Sequence, residues 1–176
     1  MAAFYTYLIS SLPTLKFWEK PAISLEALFA ECKGLVPEKD IEILRSACYR
    51  EPYSLSISLN NTLDKWIAFE VGLRNELVRA RARRKKTDPE KFLRLPDQQD
   101  AYVSHIAMGA YRMTALLEAE KTLDQERWNF LEHLSTNHFF DFDFLLTYTL
   151  KLKILERWEK IKKADKDSLF NRNLPN

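Results

Sequence analysis

Glycine is nearly missing: the 176 residues contain three, at positions 34, 72 and 109. A phosphate-cradling loop needs several close together so that backbone N–H groups can approach the anion. Three so far apart build neither a Walker A loop nor a GxGxxG turn. Cysteine is limited to Cys32 and Cys48, which excludes a disulfide framework and any paired CxxC. In a chain long enough to bury a sizeable core, the two read as reduced thiols of a cytosolic protein. No HExxH motif occurs, and no apolar run reaches the ~18 residues of a membrane-spanning helix. The start, MAAFYTYLISSLP, is apolar, but it has no basic stretch before it and is interrupted by Pro13, so it does not read as a signal peptide. Charge of one sign is lacking too. A formal net charge of +2 is too near neutral to mark the whole chain as a nucleic-acid binder.

What is present points to helices. Hydrophobic residues make up 46% of the chain, and with so much Leu, Ala, Glu, Lys and Arg beside so little glycine they favour long helices over tight turns. The clearest stretch is 61–86, NTLDKWIAFEVGLRNELVRARARRKK. Leu63, Trp66, Phe69, Leu73, Leu77 and Ala80 recur at steps of three and four, and Ile67, Val71 and Val78 widen the stripe. Asn60 or Asn61 supplies a cap. Residues 4–15 are compatible with a strand, an extended arm or a first helical turn. Ser24 before LEALFAEC, with Gly34 just past its end, predicts a short helix. Pro37 opens another over 38–49, with Ile41, Leu44 and Ala47 or Cys48 inward, and 50–59 reads as a loop of some extended character. Asp88-Pro89 starts a short helix to Leu93. The stripe Val103, Ile106, Ala107, Ala110, Met113 and Leu117 predicts one long helix over 97–123. Thr122 and Gln125, spaced as a capping box, open a fresh one through Trp128 and Leu131. His138 and the double Phe end it, and Asp141 caps a last helix, 142 to about 162, apolar almost all round in its first half. The expectation is a single all-α domain over 1–176, an orthogonal or bundled set of helices, with a flexible tail at 165–176.

Three groups of residues invite chemistry. Glu132, His133, His138, Asp141 and Asp143 gather ligand types suited to a metal, but the two histidines are five apart and share no helix face. Both acids also suit a helix N-terminus, so a structural cap with a partly buried histidine is the favoured reading, and neither a cofactor nor a metal is expected. The basic run Arg79, Arg81, Arg83, Arg84, Lys85 and Lys86 suits phosphates. Cations are equally at home at a helix C-terminus, and no aromatic residues interleave the run to stack on bases. It is therefore read as a partner-binding surface for an acidic protein or anionic lipid, with nucleic acid the weaker alternative. Glu70 and Arg74 fall inside the apolar arc with the acid four residues first, the favourable order for an internal ion pair.

Three stretches carry a resemblance: YTYLISSLPTLKF, WIAFEVGLRNELVRARARR and HFFDFDFLLTYTLKLKILERWEKI. Two motifs stand out in them, E-x-x-L-R-N-x-L at Glu70, Leu73, Arg74, Asn75 and Leu77, and L-K-L-x-I-L-E-R-W from Leu150 to Trp158. Together they resemble an uncharacterised bacterial family encoded among the subunits of V-type (V/A-type) ATPases, many of whose members are longer than this chain. Those gene clusters often lack a recognisable socket protein, the helical component that joins the central stalk to the membrane rotor ring. The resemblance implies a non-catalytic, socket-like linker of the stalk or an assembly factor. Its partners would be ATPase subunits of the stalk or rotor ring, and its place cytoplasmic, peripheral to the inner membrane through that complex. Known socket proteins are longer and built of repeated helical units, and no internal repeat is visible here.

Overall fold

The computed structural model describes residues 4–51, 60–95 and 100–172, with side chains up to 164. The expected loop over 50–59 lies almost wholly outside the described residues, as does the start of the helix expected from Asp97. Among the described residues there are seven α-helices and no strand: α1 Tyr5–Ser11, α2 Leu25–Cys32, α3 Glu38–Tyr49, α4 Asn61–Lys85, α5 Ala101–Arg112, α6 Leu116–Leu134 and α7 Phe142–Arg172. The fold is all-α, as the composition implies. The chain divides into two compact units, 1–44 with 137–176, and 45–136.

In the first unit α7 is the centre, and α1 and α2 pack on it. Residues 145–152 are buried at every position, and further along Leu155 and Trp158 are sequestered as well. Residues 4–15, open between strand, arm and helix in sequence, resolve as α1, which buries Leu8 and Ile9. The segment between α1 and α2 has no regular structure and is held to α7 by side chains. Tyr148 donates to the Pro13 carbonyl at 2.8 Å, and Glu156 Oε1 accepts the Leu25 N–H at 2.7 Å. Trp18 packs on Trp158 with ring centroids 4.6 Å apart, while Lys162 Nζ lies 4.7 Å from the Trp18 ring and donates to its carbonyl. These contacts hold Trp18 at φ 70, a conformation that costs a bulky side chain energy. Ser24 caps α2 by accepting from the Ala27 N–H, and Gly34 takes φ +81 just past its end, where only glycine is unstrained. The last helix runs ten residues beyond its expected end near Lys162, because nothing from Lys163 to Arg172 breaks it. The tail expected to be flexible from 165 is thus helical backbone to Arg172, and the rest of it lies outside the described residues.

In the second unit α5 packs against both α4 and α6. Asn60 caps α4, accepting the Leu63 N–H at 2.9 Å. The single helix expected over 97–123 is two. Asp100 caps α5, which stops at Arg112, and extended backbone at Met113 and Ala115 turns the chain into α6. Periodicity missed the break because Met113, Leu116 and Leu117 continue an apolar spacing while standing exposed. The capping box at Thr122 does not form. Thr122 lies mid-helix and its hydroxyl donates to the Glu118 carbonyl at 3.0 Å. Phe69 of α4 stacks on Phe130 of α6 at 4.2 Å, and beside this stack Arg127 bridges Glu70 (2.7 Å) and Asp124 (2.8 Å). Burial opposes the charge on Arg127, but the two carboxylates outweigh it and hold the guanidinium above its ordinary pKa.

Arg127→Leu should therefore lower stability by about 3 kcal/mol, since the buried Asp124 and the half-buried Glu70 carboxylates would lose their cation. Urea unfolding followed by circular dichroism reads this, and Arg127→Lys should recover only part of it for want of the guanidinium fork. A second expectation concerns alkaline pH. Burial, then the field of Glu31, raises the Tyr148 phenol from 10.0 to about 12. Burial and the hydrogen bond to Asp40 hold Tyr5 above its ordinary value as well. A phenol raised in the folded state contributes stability that is whole below 10.0 and lost as pH climbs toward about 12. Tyr148→Phe should flatten part of that decline, seen as a smaller difference in melting temperature between about pH 9 and about pH 11.

Candidate functional site

The residues of the E-x-x-L-R-N-x-L motif fold into one piece of architecture on α4. Leu73 is wholly buried in the core. Glu70 faces Arg127, and the expected Glu70–Arg74 pair does not form. Arg74 Nη1 instead donates to the Phe92 carbonyl at 2.9 Å and to Asn75 Oδ1 at 3.4 Å. The reason lies in the short 3-10 helix Glu90–Phe92, whose end leaves carbonyls with no donor in their own turn. Asn75, 0% exposed, completes the arrangement. Its Nδ2 donates to the Arg94 carbonyl at 2.8 Å, and its Oδ1 accepts the Arg94 N–H at 3.0 Å. Residues 92–94 are thereby clasped against α4.

The chain reaches that position by a sharp reversal. Lys86 takes the left-handed conformation at φ 52, the Lys86 N–H donates to the Arg83 carbonyl, and the Thr87 N–H to the Ala82 carbonyl. This pair of bonds is a Schellman motif with lysine where glycine is usual. Asp88 then accepts the Glu90 N–H at 3.1 Å, fixing the start of the 3-10 helix.

Between α4 and the returning segment lies a groove of about 420 Å³, lined by Arg74, Val78, Arg81, Ala82, Lys85, Thr87 and Phe92. At about 100° per residue, Arg74, Arg81 and Lys85 fall on one stripe of α4, with Val78 and Ala82 beside it. Among the described residues no acid lines the groove, and neither Arg81 nor Lys85 has an ion-pair partner. Phe92 stands 56% exposed on the far wall. The arrangement can hold an anionic group along one edge and an apolar group along the other.

The basic run is thus divided by the structure. Arg81 and Lys85 enter the groove. Arg79 does not: its guanidinium pairs with Glu76 at 2.6 Å, with both side chains largely buried. Arg83, Arg84 and Lys86 are exposed outside it. Asn75 and Phe92 are the residues of this arrangement that a search for charge misses, and Arg74, assigned in sequence to Glu70, lines the groove instead. One signal for Asn75 was available, an amide inside the apolar arc four residues after Val71, where a buried polar group must find partners.

Two other places compare poorly. A cleft of about 520 Å³ lined by Lys20, Glu159, Lys160, Lys162 and Lys163 carries its own counter-ion, with Lys162 paired to Glu159 at 3.2 Å. Of the five candidate ligands, His138, Asp141 and Asp143 come together, with ligand atoms within 4.8 Å of one another. Glu132 and His133 belong to α6 and are not in that group. Asp141 uses Oδ1 to cap α7 through the Phe144 N–H at 2.9 Å, and Oδ2 to meet His138 Nδ1 at 2.7 Å. Both oxygens are engaged at the positive end of a helix, where an anion is stabilised.

Residues 95–174 match the model of a family described as a protein of unknown function (DUF2764). That stretch takes in α5, α6 and α7, an uncharacterised family's segment whose description names no activity. No curated protein and no solved structure matches the chain.

Asn75→Ala would remove partners from both polar groups of Arg94. The expected cost is about 2 kcal/mol in unfolding free energy, with faster hydrogen exchange at the Arg94 amide than at amides of the α4 core. Unchanged exchange at Arg94 would mean that something other than Asn75 holds the segment.

Proposed function

We propose that the chain is a non-catalytic interaction protein, a subunit or assembly factor of a V-type rotary ATPase, in the manner of the socket that links stalk to rotor. The observation that carries the reading is what the E-x-x-L-R-N-x-L motif does. Its polar side chains are engaged in fixing structure around the groove: Glu70 ties α4 to Arg127 of α6, while Arg74 and Asn75 hold Phe92 and Arg94 in place as the wall. Residues committed in this way make a surface for another molecule, which suits a connecting part of a larger assembly. The resemblance of the same motif, and of Leu150 to Trp158, to a family encoded among V-type ATPase subunits supplies the assembly. Among the described residues no helix is long and apolar enough to cross a membrane, which suits a part that meets the stalk or the rotor ring from outside the bilayer.

A tagged copy expressed in the native organism and recovered from detergent-solubilised membranes should bring ATPase subunits with it in near-stoichiometric amounts, identified by mass spectrometry. A preparation free of them would remove the reading. Nucleic acid in their place would shift the weight to the exposed Arg83, Arg84 and Lys86.

A further inference from the structure

From the groove on α4 we infer a docking site for an acidic protein segment that carries an apolar anchor. Charge and shape choose this occupant. Arg74, Arg81 and Lys85 form one edge, and at about 1.5 Å per residue they extend over roughly 16 Å of α4. Val78 and Ala82 lie beside that edge on α4, and Phe92 stands on the far wall, so the other side of the groove is apolar. A ligand that fills about 420 Å³ must therefore present carboxylates and an apolar side chain next to each other. Arginine suits carboxylates because its fork binds both oxygens at once. A free inorganic anion would leave the apolar edge wet.

Nucleic acid fits less well. A strand needs cations along a continuous track and aromatic faces for successive bases. Here Arg83 falls about 180° around the helix from Arg74, so the charge turns away from the groove rather than continuing along it. Among the described residues Phe92 is the groove's single aromatic side chain. The segment clasped by Asn75 makes the groove before any ligand arrives, which lowers the ordering cost of binding. The inference is independent of the rotary-ATPase reading, since the groove can bind such a segment whatever protein provides it.

The test is fluorescence anisotropy with the full chain. One probe is a fluorescein-labelled short peptide in which glutamates flank a leucine–phenylalanine pair. The other is a labelled oligothymidylate of equal charge. The peptide should bind, and Arg81→Glu combined with Lys85→Glu should weaken it about tenfold or more. Arg83→Glu combined with Arg84→Glu makes the same change in net charge outside the groove and should leave peptide affinity within about twofold. All four positions are exposed, and circular dichroism confirms that each variant folds. No peptide binding, equal loss in the two double variants, or tighter binding of the oligothymidylate would each overturn the inference.

Discussion

Asn75 presents a carbonyl and an amide to the same backbone residue, and the outer side of α4 depends on that exchange. After the Schellman turn at Lys86 the chain runs back along the helix it has just left, and a short 3-10 helix has little apolar surface with which to hold itself there. The side-chain amide supplies what packing does not. Aspartate at this place would accept but not donate, and glutamine would reach one methylene too far. A buried group that must both give and take leaves few alternatives. Arg74 adds a third bond to the same segment, at Phe92, so the wall of the groove is fixed at Phe92 and Arg94 together.

Polar groups inside apolar arcs recur through the second unit with the same logic. Glu70, Asp124 and Arg127 join α4 and α6 beside the Phe69–Phe130 stack, and Glu76 with Arg79 occupies a neighbouring stretch of α4. The stacked rings exclude water without fixing a register; the charges tolerate few registers because a misplaced partner would leave an ion half-buried and alone. Aromatic stacking and ionic bridging therefore act on different quantities, one on adhesion and the other on alignment.

How much of this was legible in the sequence depends on range. Caps act within three residues, and Ser24, Asn60 and Asp141 were all readable as starts. Gly34 was readable as a stop. The break between α5 and α6 was not readable, because neither glycine nor proline marks it and the apolar spacing continues across it. Glu70 was recognised as an acid in need of a partner, yet the partner chosen lies 57 residues away rather than four. Local spacing shows which residues require a contact and says little about which distant element provides it. The basic run shows the same limit. Six cations are plain to see, and Glu76 three residues before Arg79 sets that one apart, but sorting Arg81 and Lys85 from Arg83 and Arg84 requires the wall that Phe92 and Arg94 build, and nothing in the run itself announces that wall.

The stack of Trp18 on Trp158 has a consequence of another kind. Two indoles whose centroids lie 4.6 Å apart share their electronic transitions, and a cation above one of them shifts its energies further. The first unit therefore carries a built-in optical label whose near-ultraviolet signal depends on the irregular segment staying seated against α7. Trp66 and Trp128 belong to the second unit, so the loosening of the N-terminal segment is spectroscopically separable from events on α4.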